Sequence, residues 1–336
     1  MDAGAAGPLA NLASMPDTPP LPGTGSTDLP PLSDAAPSAT ASPAAPGGAA
    51  GATASGGATA GGPAADGAAR GGRRALALSP SRAGDYRQCP LKYRLRAIDR
   101  LEEPSTVAQV KGTLVHAVLE ELHAWARPER TYPAAVKRLK PTWEGMVAAD
   151  DSGELAELVP ASDLMDFLVE CRGLLKGYFI MENPAGFDAH EIEKFVQMVL
   201  GVDVEVDGGA GAGAGVGVGG EAAPGVPVRG FIDRVDIAPT GEVRIVDYKT
   251  GKKPHPRFQN EALFQMRFYA LVWWRMTGHI PEQLRLMYLR AADDLTHSPT
   301  AAELERFEAE LTTLWAAIVR DGRYGDFRPK KSKLCG

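Results

Sequence analysis

Asp247 and Lys249 stand two residues apart in Val243-Arg244-Ile245-Val246-Asp247-Tyr248-Lys249, an apolar run that predicts a strand. Both side chains therefore leave the face built by Val243 and Ile245. Charges on such a face need a partner or a metal, because burying them alone is costly. A solvated ion pair at the strand end is the plainer reading of that spacing by itself. Asp233, in Gly230-Phe231-Ile232-Asp233-Arg234, lies on the preceding predicted strand. The tight turn at Pro239-Thr240-Gly241 brings it roughly opposite Asp247. Two carboxylates meeting there bind a hard cation such as Mg2+ or Mn2+, and an adjacent Lys can stabilise an attacking hydroxide or a charged phosphate. This is the minimum set for phosphodiester hydrolysis, with Asp247 expected to open onto solvent.

Gly230-Phe231-Ile232-Asp233 followed by Asp247-Tyr248-Lys249-Thr250-Gly251 resembles motifs II and III of the PD-(D/E)XK nucleases, in their RecB-like exonuclease branch. Gly112-Thr113-Leu114-Val115-His116 resembles the helical His motif of that branch, and Gln265-Met266-Arg267-Phe268-Tyr269 its Gln-x-x-x-Tyr motif. The similarity runs from about 76 to 336. It implies an α/β fold: a restriction-endonuclease-like core, a mixed central sheet flanked by helices, with a helical insertion. It also implies a divalent-metal-dependent DNA exonuclease of repair or recombination that leaves a 5′-phosphate, acts on single strands or DNA ends and works with a helicase partner. By the same resemblance His116, Asp233, Asp247 and the Tyr248 carbonyl hold Mg2+ or Mn2+, and Lys249 supports the hydroxide and the developing phosphorane charge. Glu193 stands where the branch often adds an acidic residue; an ordinary surface carboxylate is the alternative. Gln265 and Tyr269, one helical turn apart, contact phosphate or position Lys249, or else form a satisfied pair under the sheet. Gly112 lies one turn before His116, where a missing side chain lets a metal or a DNA backbone approach the imidazole. A catalytically silent module that holds DNA or a helicase, and a CRISPR-associated nuclease of the same branch, are the competing readings. No Gly-x-x-x-x-Gly-Lys-Ser/Thr pattern occurs, so any motor is a separate protein.

The chain has three cysteines, an odd number that does not read as a disulfide framework. Cys89, in Tyr86-Arg87-Gln88-Cys89-Pro90, resembles the segment that supplies the first ligand of a four-cysteine iron–sulfur cluster in many RecB-like nucleases. Cys335 resembles the start of the C-terminal group of ligands, so the resemblance implies a 4Fe-4S cluster only if the chain continues past Gly336. Cys171 reads as a small buried apolar residue.

The elements that must position these residues are legible from periodicity. Ser79 or Ser81 can cap a helix beginning near Pro80. A second helix spans about 106 to 126, with Val107, Val110, Leu114, Val118, Leu122 and Trp125 at helical spacing. Residues 130 to 183 are mainly helical and read as the insertion. Alternation from Phe195 to Val206 predicts a strand, followed by strands at Val226 to Ile237 and Val243 to Lys249, a helix from Phe258 to Met276, a strand from Gln283 to Leu289 and a helix from Thr300 to Asp321.

Residues 1–72, rich in Ala, Gly, Pro, Ser and Thr, are expected to form a disordered tail, and 208–225 a mobile Gly-rich loop; deleting both is expected to preserve turnover. Residues 73–336 then form the nuclease domain. The tail shows neither a secretory signal nor a membrane anchor, which predicts a cytoplasmic protein with no membrane partner. Net charge is −6, of which Asp2, Asp17, Asp28, Asp34 and Asp66 against Arg70 place −4 in the tail, so overall charge does not advertise nucleic-acid binding. Basic residues cluster only locally, at 252–257 and 328–333.

Overall fold

The computed structural model describes residues 76–201 and 225–331. The tail 1–72, nearly all of 208–225, the expected strand residues 202–206 and Cys335 lie outside the described residues.

The side chain of Ser79 accepts the Arg82 amide and Pro80 is the first helical residue, which starts α1 (Pro80–Gln88). Cys89 separates it from α2 (Pro90–Tyr93), which runs on into a π-helical turn at Arg94–Ile98. A capping box between Thr106 and Gln109 opens α3 (Val107–Ala124), satisfying two amides that a helix start leaves unpaired. Its apolar stripe, Val110, Leu114, Val118 and Leu122, is buried, whereas Val107 is exposed. Next come α4 (Tyr132–Ala148), the short α5 (Glu154–Leu158) and α6 (Leu164–Met181). The chain then enters strand β1 (Glu191–Leu200), four residues earlier than alternation predicted because Glu191, Glu193 and Lys194 leave Ile192 as the one apolar residue of that stretch.

β2 (Val226–Ile237) and β3 (Val243–Lys249) follow antiparallel. Helix α7 (Gln259–Thr277) carries the chain across to β4 (Gln283–Tyr288), parallel to β3, the kind of connection that needs a long crossover. β5 (Asp293–His297) adds an antiparallel edge, and α8 (Ala301–Tyr324) ends the fold, begun by the Thr300 cap. The resulting mixed sheet has the order β1-β2-β3-β4-β5 with helices on both faces, as the α/β expectation held. β5 was not foreseen: Asp-Asp-Leu-Thr-His has too little apolar alternation, and an edge strand needs little.

Each face has its own core. Val243 and Ile245 point to the side covered by α1, α7 and α8, with Phe264, Phe268, Leu271, Phe307 and Trp315. Val246 and Tyr248 point to the side covered by α3, α4 and α6, with Leu114, Leu119, Trp143, Phe167 and Tyr178. Gly177 lets α6 lie directly against the sheet, since a Cβ there would fall on the Leu289 carbonyl oxygen. Among the described residues no helix is long and apolar enough to cross a membrane.

Candidate active site

The site forms where β2 and β3 part. Their ladder ends at Arg234↔Val246, while β3 stays paired with β4 as far as Lys249↔Tyr288. Tyr248 therefore has a backbone amide and carbonyl with no strand partner, and two functional side chains take them. Its amide donates to Asp233 Oδ2 at 2.8 Å, and its carbonyl lies 2.9 Å from His116 Nε2. A carbonyl only accepts, so Nε2 donates to it, and Nδ1 faces Asp233 Oδ2 at 3.5 Å.

β2 is shaped for this. Ile232 and Val235, three apart, both belong to the core under α7, so strict alternation breaks at Asp233-Arg234 although the register with β1 and β3 does not shift, and Asp233 and Arg234 both leave by the α3 side. Across the β1 ladder, Glu193 falls between the pairs Ile192↔Arg234 and Lys194↔Ile232, opposite Asp233. Its φ of 46° is the left-handed region that a residue with a Cβ seldom occupies. His116, Glu193 and Asp233 each offer a ligand atom, all within 4.8 Å of one another. One imidazole nitrogen and two carboxylates suit a divalent cation of the Mn2+ or Mg2+ kind. Burial, and then the charge of Asp247, push Asp233 up, while burial and the charge of Asp233 push Glu193 up to about 7, a crowding of charge that a bound cation would relieve.

Asp247, Lys249 and Gln265 form a chain beside this group. Lys249 Nζ lies 2.6 Å from Asp247 Oδ2 and donates to Gln265 Oε1 at 2.8 Å. Gln265 Nε2 returns a bond to Asp247 Oδ1, also at 2.8 Å. Burial works against the charge on Lys249, yet Asp247 and Asp233 outweigh it and raise its pKa, so it is a fixed cation rather than a base. Asp247 is only 2 % exposed, not open to solvent as expected, because Gln265 of α7 covers it. Tyr269, one turn further along α7, packs on Gly230: a Cβ there would stand 2.8 Å from its ring, which accounts for the glycine in Gly-Phe-Ile-Asp. Gly112 faces the Thr250 hydroxyl, 3.2 Å from where its Cβ would be. The missing side chain thus admits the end of β3, not a metal or DNA. The structure thus brings His116, Glu193 and Asp233 into one group, sets Asp247, Lys249 and Gln265 alongside, and gives the Tyr248 carbonyl to His116.

A buried ionic cluster beneath Tyr248 escaped the sequence reading. Arg234, fully buried, pairs with Glu182 and with Asp236 at 3.0 Å, and donates to the Tyr248 hydroxyl at 2.8 Å. Asp236 also pairs with Arg244 at 3.0 Å, and Glu182 with Arg285 at 3.3 Å. Burial, then the charge of Arg234, pushes the adjoining His123 down to about 3, so it is neutral. Arg234 and Asp236 two apart in an apolar strand were the available signal, but Glu182 and Arg285 are far off in sequence.

A family model of the PD-(D/E)XK nuclease superfamily matches residues 77–336. The chain belongs to that superfamily. This superfamily member is 27% identical over 183 residues to the "Gene 69 protein" of Mycobacterium phage D29, a match covering 54% of this chain and 65% of the phage protein. The chain thus spans just under two thirds of that relative's length. The crystal structure of a "Putative exonuclease" from Eubacterium rectale superposes with a TM-score of 0.46 at 11% identity, covering 77% of this chain and 85% of the other.

The cysteines of this superfamily member do not make a four-thiolate set among the described residues. The Cys89 thiol, at the α1–α2 junction, accepts the Lys330 amide at 3.3 Å, so the C-terminal segment that leads to Cys335 does reach it. Cys171 is fully buried in the core under α3 and α6, and burial pushes its thiol up to about 12.

The crowded carboxylates carry a prediction for pH. Glu193 ordinarily titrates at 4.5 and is raised to about 7 in the fold, and Asp233 is raised too. While the neutral His123 acts in the opposite sense below about pH 6.5, at these two groups the metal-free folded chain therefore binds more protons than the unfolded one. The stability this contributes is complete below about pH 4.5 and lost as pH climbs through about 7. Relative to a Glu193→Gln variant, melting temperature without metal is expected to fall across that window, and excess Mn2+ to remove most of the difference. A Glu193→Gln variant with the same pH slope would contradict the assignment.

Proposed function

We propose that the chain is a divalent-metal-dependent DNA nuclease of the RecB-like exonuclease kind. The observation that carries this is the convergence of His116, Glu193 and Asp233 beside the Asp247–Lys249–Gln265 chain. His116 Nδ1 and the carboxylates of Glu193 and Asp233 hold the cation, with Asp247 adjacent. When bound, the cation supplies Lewis acidity, which generates the nucleophile at neutral pH and offsets the charge on the phosphate. Lys249 is held in place by Asp247 and Gln265 and remains protonated, so its ammonium faces charge as it builds on the phosphoryl oxygens. Gln265 is a positioning residue: its amide bonds both Lys249 and Asp247 and cannot be satisfied if either moves. Tyr248 ties the parts together through its backbone, and the Arg234 cluster holds its ring from below.

The test is incubation of end-labelled single- and double-stranded DNA with Mg2+, Mn2+ or EDTA. Cleavage is expected with either metal, to stop in EDTA and to return when metal is restored, while covalently closed circular DNA resists. Cleavage that persists in EDTA, or none with any divalent cation, would defeat the proposal. A role in repair or recombination with a separate helicase fits the same reading.

A further inference from the structure

Phe195 and Phe231 are exposed, 47 % and 46 %, and touch with ring centroids 5.1 Å apart and planes tilted by 50°. They are directly opposite in the β1–β2 ladder. Tyr269 fills the α7 side at Gly230, so Phe231 leaves by the other face, as does Asp233 two residues on, toward His116 of α3. Glu193 and Phe195 stand in the same relation on β1. The face therefore carries successive rungs: Glu193 with Asp233, then Phe195 with Phe231, then Gln197 with Arg229. No ion pair ties Arg229 among the described residues. Large aromatic side chains are normally buried, and a solvent-facing pair beside a candidate catalytic group calls for an occupant.

We propose that Phe195 and Phe231 form a stacking platform for an unpaired base next to the scissile phosphate, with Arg229 taking a phosphate beyond it, so that the site selects single-stranded DNA or frayed ends. The proposal rests on the nuclease reading for the position of the phosphate. Its chemistry is that of single-strand binding: an aromatic face stacks on any base, and a cation beside it tracks the backbone. A base within a duplex is paired and already stacked on both sides, so it offers the platform no open face. Gln197, across from Arg229, is uncharged and leaves the approach of the backbone unopposed.

The experiment is fluorescence anisotropy of fluorescein-labelled oligothymidylate and of a blunt duplex, with an Asp247→Asn background to prevent turnover. Replacing both Phe195 and Phe231 with Ala is expected to weaken single-strand binding by about 5- to 100-fold and to leave duplex binding unchanged. Because both rings are half exposed, the variant should fold. A Phe195→Leu, Phe231→Leu variant keeps apolar bulk without a π-face and should lose nearly as much, whereas Phe231→Trp should retain binding. An oligonucleotide bearing 2-aminopurine at its end should be quenched by the unsubstituted protein and not by the Leu variant. Unchanged single-strand binding, equal losses on both DNA forms, or full retention by Leu would overturn the platform. These readouts involve no cleavage, so a chain that binds in this way but never cuts refutes the nuclease reading and not the platform.

Discussion

Asp233→Asn is expected to lower metal-dependent cleavage by about 100- to 1,000-fold, the size of effect that follows when one charge-stabilising group is removed from a preorganised site. Asn keeps an oxygen that can accept the Tyr248 amide, now taken by Asp233 at 2.8 Å, so the strand opening should survive. What is lost is a carboxylate facing Glu193 and His116 Nδ1. Mn2+ binding by calorimetry should weaken together with cleavage. Metal-free stability should rise, because burial and Asp247 disfavour the charged form of Asp233 and the amide has no charge to disfavour. Lys249→Met should behave differently: cleavage falls, but the metal ligands remain and Mn2+ binding persists. An Asp233→Asn protein that cuts DNA at the unsubstituted rate would remove Asp233 from the site.

Arg234→Met is expected to have the largest effect on stability, about 3–5 kcal/mol, because deleting one member of a buried ion pair strands its partners without compensation. Glu182 is 2 % exposed and Asp236 is fully buried, so neither can turn to water once Arg234 is gone. Arg285 still faces Glu182 and Arg244 still faces Asp236, which limits the damage. Chemical denaturation gives the number. The active site should suffer as well, since the guanidinium holds the Tyr248 hydroxyl and Tyr248 presents its backbone to His116 and Asp233. A loss below about 1 kcal/mol, the range of surface ion pairs, would mean the cluster contributes little. Replacing Arg234 and Glu182 together by apolar residues should cost less than Arg234→Met alone.

Much of the fold was written in local pattern. β2 and β3 run over the spans expected from the sequence, and α1, α3, α7 and α8 begin within two residues of their expected starts, because turn residues, capping side chains and apolar periodicity act within a turn or two. Asp233, Asp247 and Lys249 were candidates from their spacing on neighbouring strands, and His116, Gln265 and Tyr269 only from the resemblance of their motifs to the RecB-like branch. Three things depended on contacts distant in sequence. The parting of β2 from β3 frees the Tyr248 backbone, and no local signal marks where a ladder stops. Glu193 joins His116 and Asp233 only through the β1 register and a left-handed φ, and Asp247 is closed off from water only because a helix that follows it folds back over the strand. The Arg234 cluster gathers Glu182, Asp236, Arg244 and Arg285 from α6's end, β2, β3 and β4. Burial turns those charges from surface residues into a support, and burial is a property of the assembled layers, not of any segment read alone.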